Sequence, residues 1–393
     1  MRCPTGFLWG VATSAHQVEG GQTNDWTEWE ALPGRCSEPS GIACDHYRRF
    51  DDDIALIAEL GFNTYRFSLE WSRIEPAEGE FDHGELDHYL RMVESCHRHG
   101  IRPFPTFHHF TNPLWIARDG AWENPRTPDR FARFCEVAAR RLAGSIDTAL
   151  TINEPNMPPL LGYELGWFPP GLRDRDARVR ATEQFVTAHH KARAAIRDVD
   201  SSLRVGWAVA MTEWTPVDGG EITLDEIRRL REDVFLDASR DDDFIGVNVY
   251  TRHRVSAEGV TNVEDGVELT AMGYEFWPDA LEAVVRRTAL RLPTLPILVT
   301  ENGIATDDDS RRAAFVEEAL RGLTRCLRDG IDVRGYLYWT ALDNFEWHHG
   351  YGPKFGLIAV DRETQERRPK PSARWLGRLA AGDVLPEPLD RPL

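Results

Sequence analysis

Short apolar stretches recur along the chain, and longer stretches with helical spacing of apolar residues mostly separate them. The clearest is Ile297–Val299, an unbroken apolar run typical of a strand buried on both faces. Eight strand-like stretches can be placed, at Phe7–Thr13, Thr64–Leu69, Arg102–Phe107, Ala149–Ile152, Arg204–Val209, Phe244–Tyr250, Ile297–Thr300 and Gly335–Thr340. Eight strands alternating with helices predict an α/β fold, namely a single (β/α)8 TIM barrel over residues 1–393 with elaborated βα loops.

The segments between the strands carry helix signals of their own. Ile54, Ile57 and Leu60 follow a helical period, and Gly61 is suited to end that helix. No linker or low-complexity tract interrupts the chain, so no domain boundary is predicted. The turn-rich segment 252–273 is predicted to be a loop excursion with small strands after the sixth barrel strand.

Two of the apolar stretches run directly into a glutamate. Ile297–Val299 leads into Thr300, Glu301 and Asn302, and Ala149–Ile152 leads into Asn153 and Glu154. A lone glutamate there would usually cap a helix or join a structural ion pair. Because the pattern occurs twice, it indicates paired carboxylates at one end of the barrel, where such folds carry their active sites.

The other predicted strand ends are also polar or aromatic. The full set of candidates is Gln17, Arg66, His109, Glu154, Asn248, Tyr250, Glu301, Trp339 and Glu346. This set combines carboxylates, one arginine, amide and imidazole groups and an indole ring. Such groups suit the recognition of sugars, which need many hydrogen bonds and a stacking surface.

Charge, cysteine and glycine patterns exclude several other classes of partner and cofactor. The net charge of −18, with no block of basic residues, argues against nucleic acid and anionic membranes as partners. The six cysteines form no CxxC pair, and His108 and His109 point to opposite faces of a strand, so no metal site is predicted. The glycines of 350–356 lack dinucleotide-binding spacing, and no cofactor is predicted. The N-terminus does not have the pattern of a signal peptide, which favours a cytoplasmic enzyme.

These motifs together resemble those of the family 1 glycoside hydrolases, the retaining β-glucosidase and β-galactosidase group. The resemblance runs nearly end to end and rests on Phe7–Gly10, Ala12–Ala15, Gln17–Gly20, Tyr65–Ile74, Thr151–Pro155, Asp243–Asn248, Thr300–Gly303, Tyr338–Trp347, Gly350–Tyr351 and Phe355–Gly356. Each motif alone is modest evidence, but their joint order and spacing are specific.

The resemblance implies a role for four residues in catalysis. Glu301 is similar to the family's nucleophile and Glu154 to its acid/base, which in a retaining mechanism lie about 5–5.5 Å apart. Arg66 and Tyr250 are similar to the groups that keep the nucleophile ionised. Their structural alternatives are an ion pair inside the barrel and a core tyrosine. Burial and the charge of Glu301 are expected to raise the pKa of Glu154.

The resemblance also implies a substrate site. Its predicted members are Gln17, His109, Asn153, Asn248, Trp339, Glu346 and Trp347, with Asn153 facing the sugar 2-hydroxyl and Trp339 forming a stacking floor. For Trp347 the alternative is an indole packed in the core. A carboxylate at Glu346 would repel a 6-phosphate, which favours a neutral sugar.

The chain departs from the family pattern in a few places. His16 and Phe110 replace usual aromatic residues, Asn156 stands where a bulky side chain is frequent, and the segment 214–241 is shorter than the usual connection. We therefore predict a retaining β-glycosidase, most simply a β-glucosidase, acting on small-molecule or oligosaccharide β-glycosides. The alternatives are a transglycosidase and a sugar-binding barrel without turnover. The sequence leaves open whether the protein is a homo-oligomer.

Overall fold

Eight parallel strands close into a barrel, as predicted. The computed structural model describes residues 1–388. The strands are β1 (Leu8–Ala12), β2 (Thr64–Ser68), β3 (Arg102–His108), β4 (Thr148–Asn153), β5 (Arg204–Pro216), β6 (Ile245–Ser256), β7 (Ile297–Asn302) and β8 (Val333–Trp339). They neighbour one another in the order β5-β4-β3-β2-β1-β8-β7-β6, and pairing of β5 with β6 closes the ring.

Helices connect the strands and surround them. The main connecting helices are α1 (His46–Glu59), α2 (His83–Arg98), α3 (Thr127–Leu142), α4 (Arg175–Val199), α5 (Val234–Ala238), α6 (Ala280–Arg291), α7 (Asp309–Arg328) and α8 (Pro371–Ala381). Shorter helical segments lie in the loops, at Ala15–Val18, Asp25–Glu30, Trp71–Ile74, Leu114–Arg118, Ala121–Glu123, Pro159–Glu164, Glu221–Arg228, Arg229–Asp233 and Trp347–His349. Among the helices of residues 1–388, none combines the length and apolar character needed to cross a bilayer.

The barrel interior changes character along its axis. Near the strand starts it is filled by one apolar cluster, made of Leu8, Phe104, Leu150, Ala208, Phe244, Leu298 and Leu337. Arg66 lies beside Phe104 in the β2–β3 register, and its guanidinium contacts the buried polar side chains of Thr106, Asn153 and Glu301. The apolar plug therefore supports a polar site at the carboxyl ends of the strands.

Strands β5 and β6 are much longer than predicted. The sequence suggested ends at Val209 and Tyr250, whereas the strands continue to Pro216 and Ser256. Beyond the barrel they pair with each other, with an irregularity that gives β6 an extra residue. The polar residues in the upper parts of β5 and β6 gave no strand signal in the sequence. A two-stranded ribbon above the barrel does not need continuous apolar character, so the extension was not predicted. The excursion predicted at 252–273 does contain a small strand, Gly259–Val260, which pairs with the end of β6.

Candidate active site

The two predicted glutamates lie at the same end of the barrel, on strands that leave it differently. Glu301 is still part of β7 and is buried. Glu154 directly follows β4 and has a left-handed backbone with φ of 48°. Its amide still donates to the carbonyl of Ala208 on β5 over 2.7 Å. The chain thus turns away from the strand at Glu154, whose side chain is only half-buried.

Glu301 receives a hydrogen bond on each carboxylate oxygen. Arg66 Nη1 donates to Oε1 over 2.7 Å, and the hydroxyl of Tyr250 donates to Oε2 over 2.5 Å. Burial raises the pKa of Glu301, while the guanidinium charge and the two hydrogen bonds favour the ionised form. A buried carboxylate with a cation and a hydroxyl donor has the partners that its negative charge requires.

Arg66 is itself held by groups from three other strands. Its Nη2 donates to Asn153 Oδ1 over 2.5 Å, its Nε donates to Thr106 Oγ1 over 3.0 Å, and Nη1 also reaches the carbonyl of Thr300. All of these groups are buried. The guanidinium therefore connects β2, β3, β4 and β7 at one level, which fixes it beside Glu301.

Glu154 has a different environment. The only hydrogen bond to its carboxyl group among the described residues comes from Asn248 Nδ2, which donates to Oε1 over 2.9 Å. Burial and the nearby charge of Glu301 raise the pKa of Glu154 to about 8. Thr300 Oγ1 donates to the Asn248 amide oxygen over 2.6 Å, which turns the amide nitrogen toward Glu154 and Asn153. One glutamate is thus arranged to be ionised and the other to keep a proton near neutral pH.

The remaining predicted residues form a second group beside the glutamates. Trp339 and Trp347 lie roughly parallel to the ring of His109, with centroids 5.7 and 6.3 Å away. His109 Nε2 is 3.2 Å from Asn153 Nδ2, and burial lowers the pKa of His109. The imidazole is therefore neutral and is a neighbour of both indoles.

Gln17 and Glu346 meet at the far side of this group. Gln17 Nε2 donates to the carbonyl of Phe345 over 2.7 Å and lies 3.4 Å from Glu346 Oε2. Burial and the charges of Glu301 and Glu154 raise the pKa of Glu346 to about 8. Three carboxyl groups therefore influence one another across a single cleft, and all eleven predicted residues lie around it.

Trp347 has features of both interpretations given above. It is buried in a cluster with aromatic residues that include Trp26, Phe110 and Phe168, as expected of a core indole. Its ring also stacks on His16, with centroids 5.4 Å apart and planes 4° from parallel. His16, which the sequence marked only as a departure, thus lies directly beneath a residue of the predicted substrate site.

Tyr274 is a neighbour of the site that the sequence reasoning missed. The phenol is half-buried, and Glu346 and Glu154 both act on it to raise its pKa, after burial as the main cause. Tyr274 lies in the excursion after β6 rather than at a strand end. The only sequence signal was an aromatic residue in a turn-rich loop, which did not place it at the cleft.

Within residues 1–388, no group of three or more His, Cys, Asp or Glu side chains is arranged to hold a metal ion. The carboxylates of the cleft instead accept hydrogen bonds from arginine, tyrosine and amide donors. The neighbouring rings of His348 and His349 have centroids 3.9 Å apart, and burial lowers the pKa of both.

Several β-glucosidases and β-glycosidases resemble this chain over nearly its full length. Beta-glucosidase A of Thermotoga maritima is 29% identical, covering 97% of this chain and 98% of that relative. A beta-glucosidase of Agrobacterium sp. is 31% identical, and the match covers 97% of this chain and 96% of that relative. Among solved structures, beta-glycosidase BGL167 is 46% identical with a TM-score of 0.91, covering 100% of this chain and 99% of that one.

A further solved structure shows a ligand in a related barrel. The beta-glucosidase from Thermotoga maritima in complex with glucoimidazole has a TM-score of 0.92 to this chain at 27% identity. The match covers 97% of this chain and 99% of that one. The family model of glycosyl hydrolase family 1 matches residues 1–239 and 232–383, and the break lies in the connection between β5 and β6. With nearly every described residue included in that match, the chain belongs to family 1 of the glycosyl hydrolases.

Proposed function

We propose that this glycoside hydrolase is a retaining β-glucosidase in which Glu301 is the nucleophile and Glu154 the acid/base. The observation that carries the proposal is the unequal environment of the two glutamates. Glu301 accepts hydrogen bonds from Arg66 and Tyr250, whereas Glu154 has only an amide donor and a pKa of about 8. Pairs of carboxyls with separated pKa values are suited to divide nucleophilic and acid roles.

In the first step, Glu301 attacks the anomeric carbon and Glu154 gives its proton to the leaving oxygen. The negative charge of Glu301 is then lost in the glycosyl–enzyme ester. Because that charge helps to raise the pKa of Glu154, its loss makes Glu154 easier to ionise. In the second step Glu154 accepts a proton from water, which attacks the same carbon and releases the sugar with its β configuration.

The substrate site supports a neutral sugar. Gln17, His109, Asn153 and Glu346 offer donors and acceptors for hydroxyl groups, and Trp339 offers a flat apolar surface. A phosphate placed against Glu346 would bring negative charge to a buried carboxyl that has no cation partner among the described residues. The relatives are named as beta-glucosidases, which makes glucosides our first choice over galactosides. We further propose that the whole chain forms one catalytic domain.

The stereochemical course tests this proposal. We expect ¹H NMR of an aryl β-glucoside, recorded before mutarotation, to show the β anomer as the first sugar released. Release of the α anomer at early times would mean direct displacement by water and would refute the role of Glu301 as nucleophile. A Glu301→Gln variant is the control, and it should release no sugar.

A further inference from the structure

The short connection between β5 and β6 is attached next to Glu154. It consists of the helix Glu221–Arg228, a wider helical turn at Arg229–Asp233, and α5. Asn156, two residues after Glu154, donates its Nδ2 to the carbonyls of Ala210 and Arg231 over 2.8 and 3.0 Å. If Glu154 protonates the leaving oxygen, this attachment brings Arg231 to the leaving-group side of the cleft. The inference below rests in this way on the proposed function.

The guanidinium of Arg231 lies beside Trp214 of the β5–β6 ribbon, whose ring also packs with Leu224 and Val255. Ala208 faces the barrel interior, and alternation along β5 puts Trp214 on the same face, because the extra residue in the pairing belongs to β6. The guanidinium carbon of Arg231 lies 5.8 Å from the centre of the Trp214 ring. One face of the cation is thus partly covered by an indole, and the edges of its planar fork remain for other groups.

No carboxylate of residues 1–388 forms an ion pair with Arg231. Glu164 and Glu232 are near enough to act on its pKa, but Arg178 and Arg287 respectively form salt bridges with them. The side chain of Arg231 also makes no hydrogen bond within the described part of the chain, although it is half-buried. An arginine remains protonated in such a place. The result is a positive charge without an ion-pair partner among the described residues, close to the attachment of this connection beside Glu154, in a protein whose net charge is −18.

We propose that Arg231 makes the enzyme prefer β-glucosides whose aglycone carries a carboxylate. Two parallel oxygens of a carboxylate match the in-plane N–H groups of a guanidinium, and the indole beneath keeps the fork in place. The partly dry surroundings strengthen the attraction relative to an exposed pair. Arg231 would contact only the leaving portion of the substrate, so it is a specificity residue and takes no part in the bond-breaking step.

A matched pair of substrates tests this proposal directly. The 4-(carboxymethyl)phenyl and 4-(carbamoylmethyl)phenyl β-glucosides share a sugar and nearly the same leaving group, but only the first has a negative charge. We expect Arg231→Met, which retains an apolar side chain against Trp214, to lower kcat/KM for the acid about tenfold, equal to about 1.4 kcal/mol. The amide should be unaffected. Arg231→Lys, which keeps the charge without the fork, should retain part of the preference.

Arg229→Met is the matched control. Arg229 lies in the same turn, is exposed, and loses the same charge, so it should leave both substrates unchanged. If the acid-to-amide ratio of kcat/KM is the same in the parent enzyme and in Arg231→Met, the proposal is wrong. If the parent enzyme hydrolyses neither glucoside, the proposed function itself fails. The rate with the amide shows that each variant is folded, so a change in ratio cannot come from misfolding.

Discussion

At the scale of single residues, the different tasks that we propose for Glu154 and Glu301 rest on their different partners. Glu301 has a guanidinium and a phenol as donors, and Glu154 has one amide. Each pKa unit corresponds to about 1.4 kcal/mol between protonation states, so the rise of the Glu154 pKa to about 8 is a substantial effect. Catalysis near neutral pH then needs no rearrangement before the substrate binds.

The first residue-scale prediction concerns pH. Glu154 must be protonated to act as an acid, so kcat/KM for a glucoside with a poor leaving group should fall as the pH rises through about 8. A 2,4-dinitrophenyl glucoside needs little protonation, and its basic limb should be weaker. Measuring both profiles on one enzyme preparation checks this. Identical basic limbs for the two substrates would contradict the assigned role of Glu154.

The second residue-scale prediction concerns the role of Glu346 in sugar binding. Glu346→Ser should lower kcat/KM for a neutral glucoside by about 1–3 kcal/mol of transition-state binding, because the sugar hydroxyls lose a hydrogen-bond partner. The pKa of Glu346 is raised from 4.5 to about 8, so its carboxyl lowers the stability of the fold progressively as the pH rises from about 4.5 to about 8, and the full loss is present at pH 9. The variant should therefore be no less stable at pH 9. Steady-state kinetics and thermal unfolding of Glu346→Ser test both expectations, and Glu363→Ser, at an exposed position, is the control. If Glu346→Ser keeps the kinetics of the parent enzyme, Glu346 is not part of the sugar site.

At the scale of elements, the strand ends were easier to predict than the loops. The apolar runs that end in Glu154 and Glu301 identified β4 and β7, and parallel topology then brings their ends together. The positions of His16 and Tyr274 depend on how long loops pack over the barrel, which no local pattern records. The extension of β5 and β6 was missed for a related reason, since their upper halves stabilise each other rather than a core.

The close approach of β7 and β8 gives an element-scale prediction. A Cβ on Gly303 would lie 2.1 Å from the carbonyl oxygen of Trp339, so Gly303→Ala must push apart the strand ends that carry Glu301 and Trp339. We expect a loss of about 1–3 kcal/mol in the free energy of unfolding, together with a lower kcat.

Urea unfolding and kinetics of the same preparation measure both effects of Gly303→Ala. Gly352→Ala is the control, because a Cβ there meets its nearest neighbour, the carbonyl oxygen of His349, at an ordinary 3.6 Å. If both variants unfold at the same urea concentration as the parent, the contact between these strand ends is not as tight as described.

At the scale of the whole molecule, the barrel separates stability from chemistry. The apolar plug at the strand starts and the outer helix layer supply the packing, while the polar end carries three carboxyls, and burial together with their mutual repulsion raises the pKa of Glu154 and Glu346. Sequence patterns captured this division because apolar runs and their polar ends are local features. Local patterns alone did not indicate which carboxyl obtains a cation, since Arg66 reaches Glu301 from 235 positions away in the chain, and only the family resemblance predicted that pairing.

The most direct test of the account compares Glu154→Ala with Glu301→Gly in the presence of azide, using 2,4-dinitrophenyl β-glucoside. Without Glu154, the first step should survive because dinitrophenolate leaves unaided, and azide should then attack the glycosyl–enzyme to give the β-glucosyl azide. Without Glu301, azide should occupy the vacated space and give the α-glucosyl azide. NMR of the two products should therefore show opposite anomers, whereas the same anomer from both variants would contradict the assignment of the two glutamates.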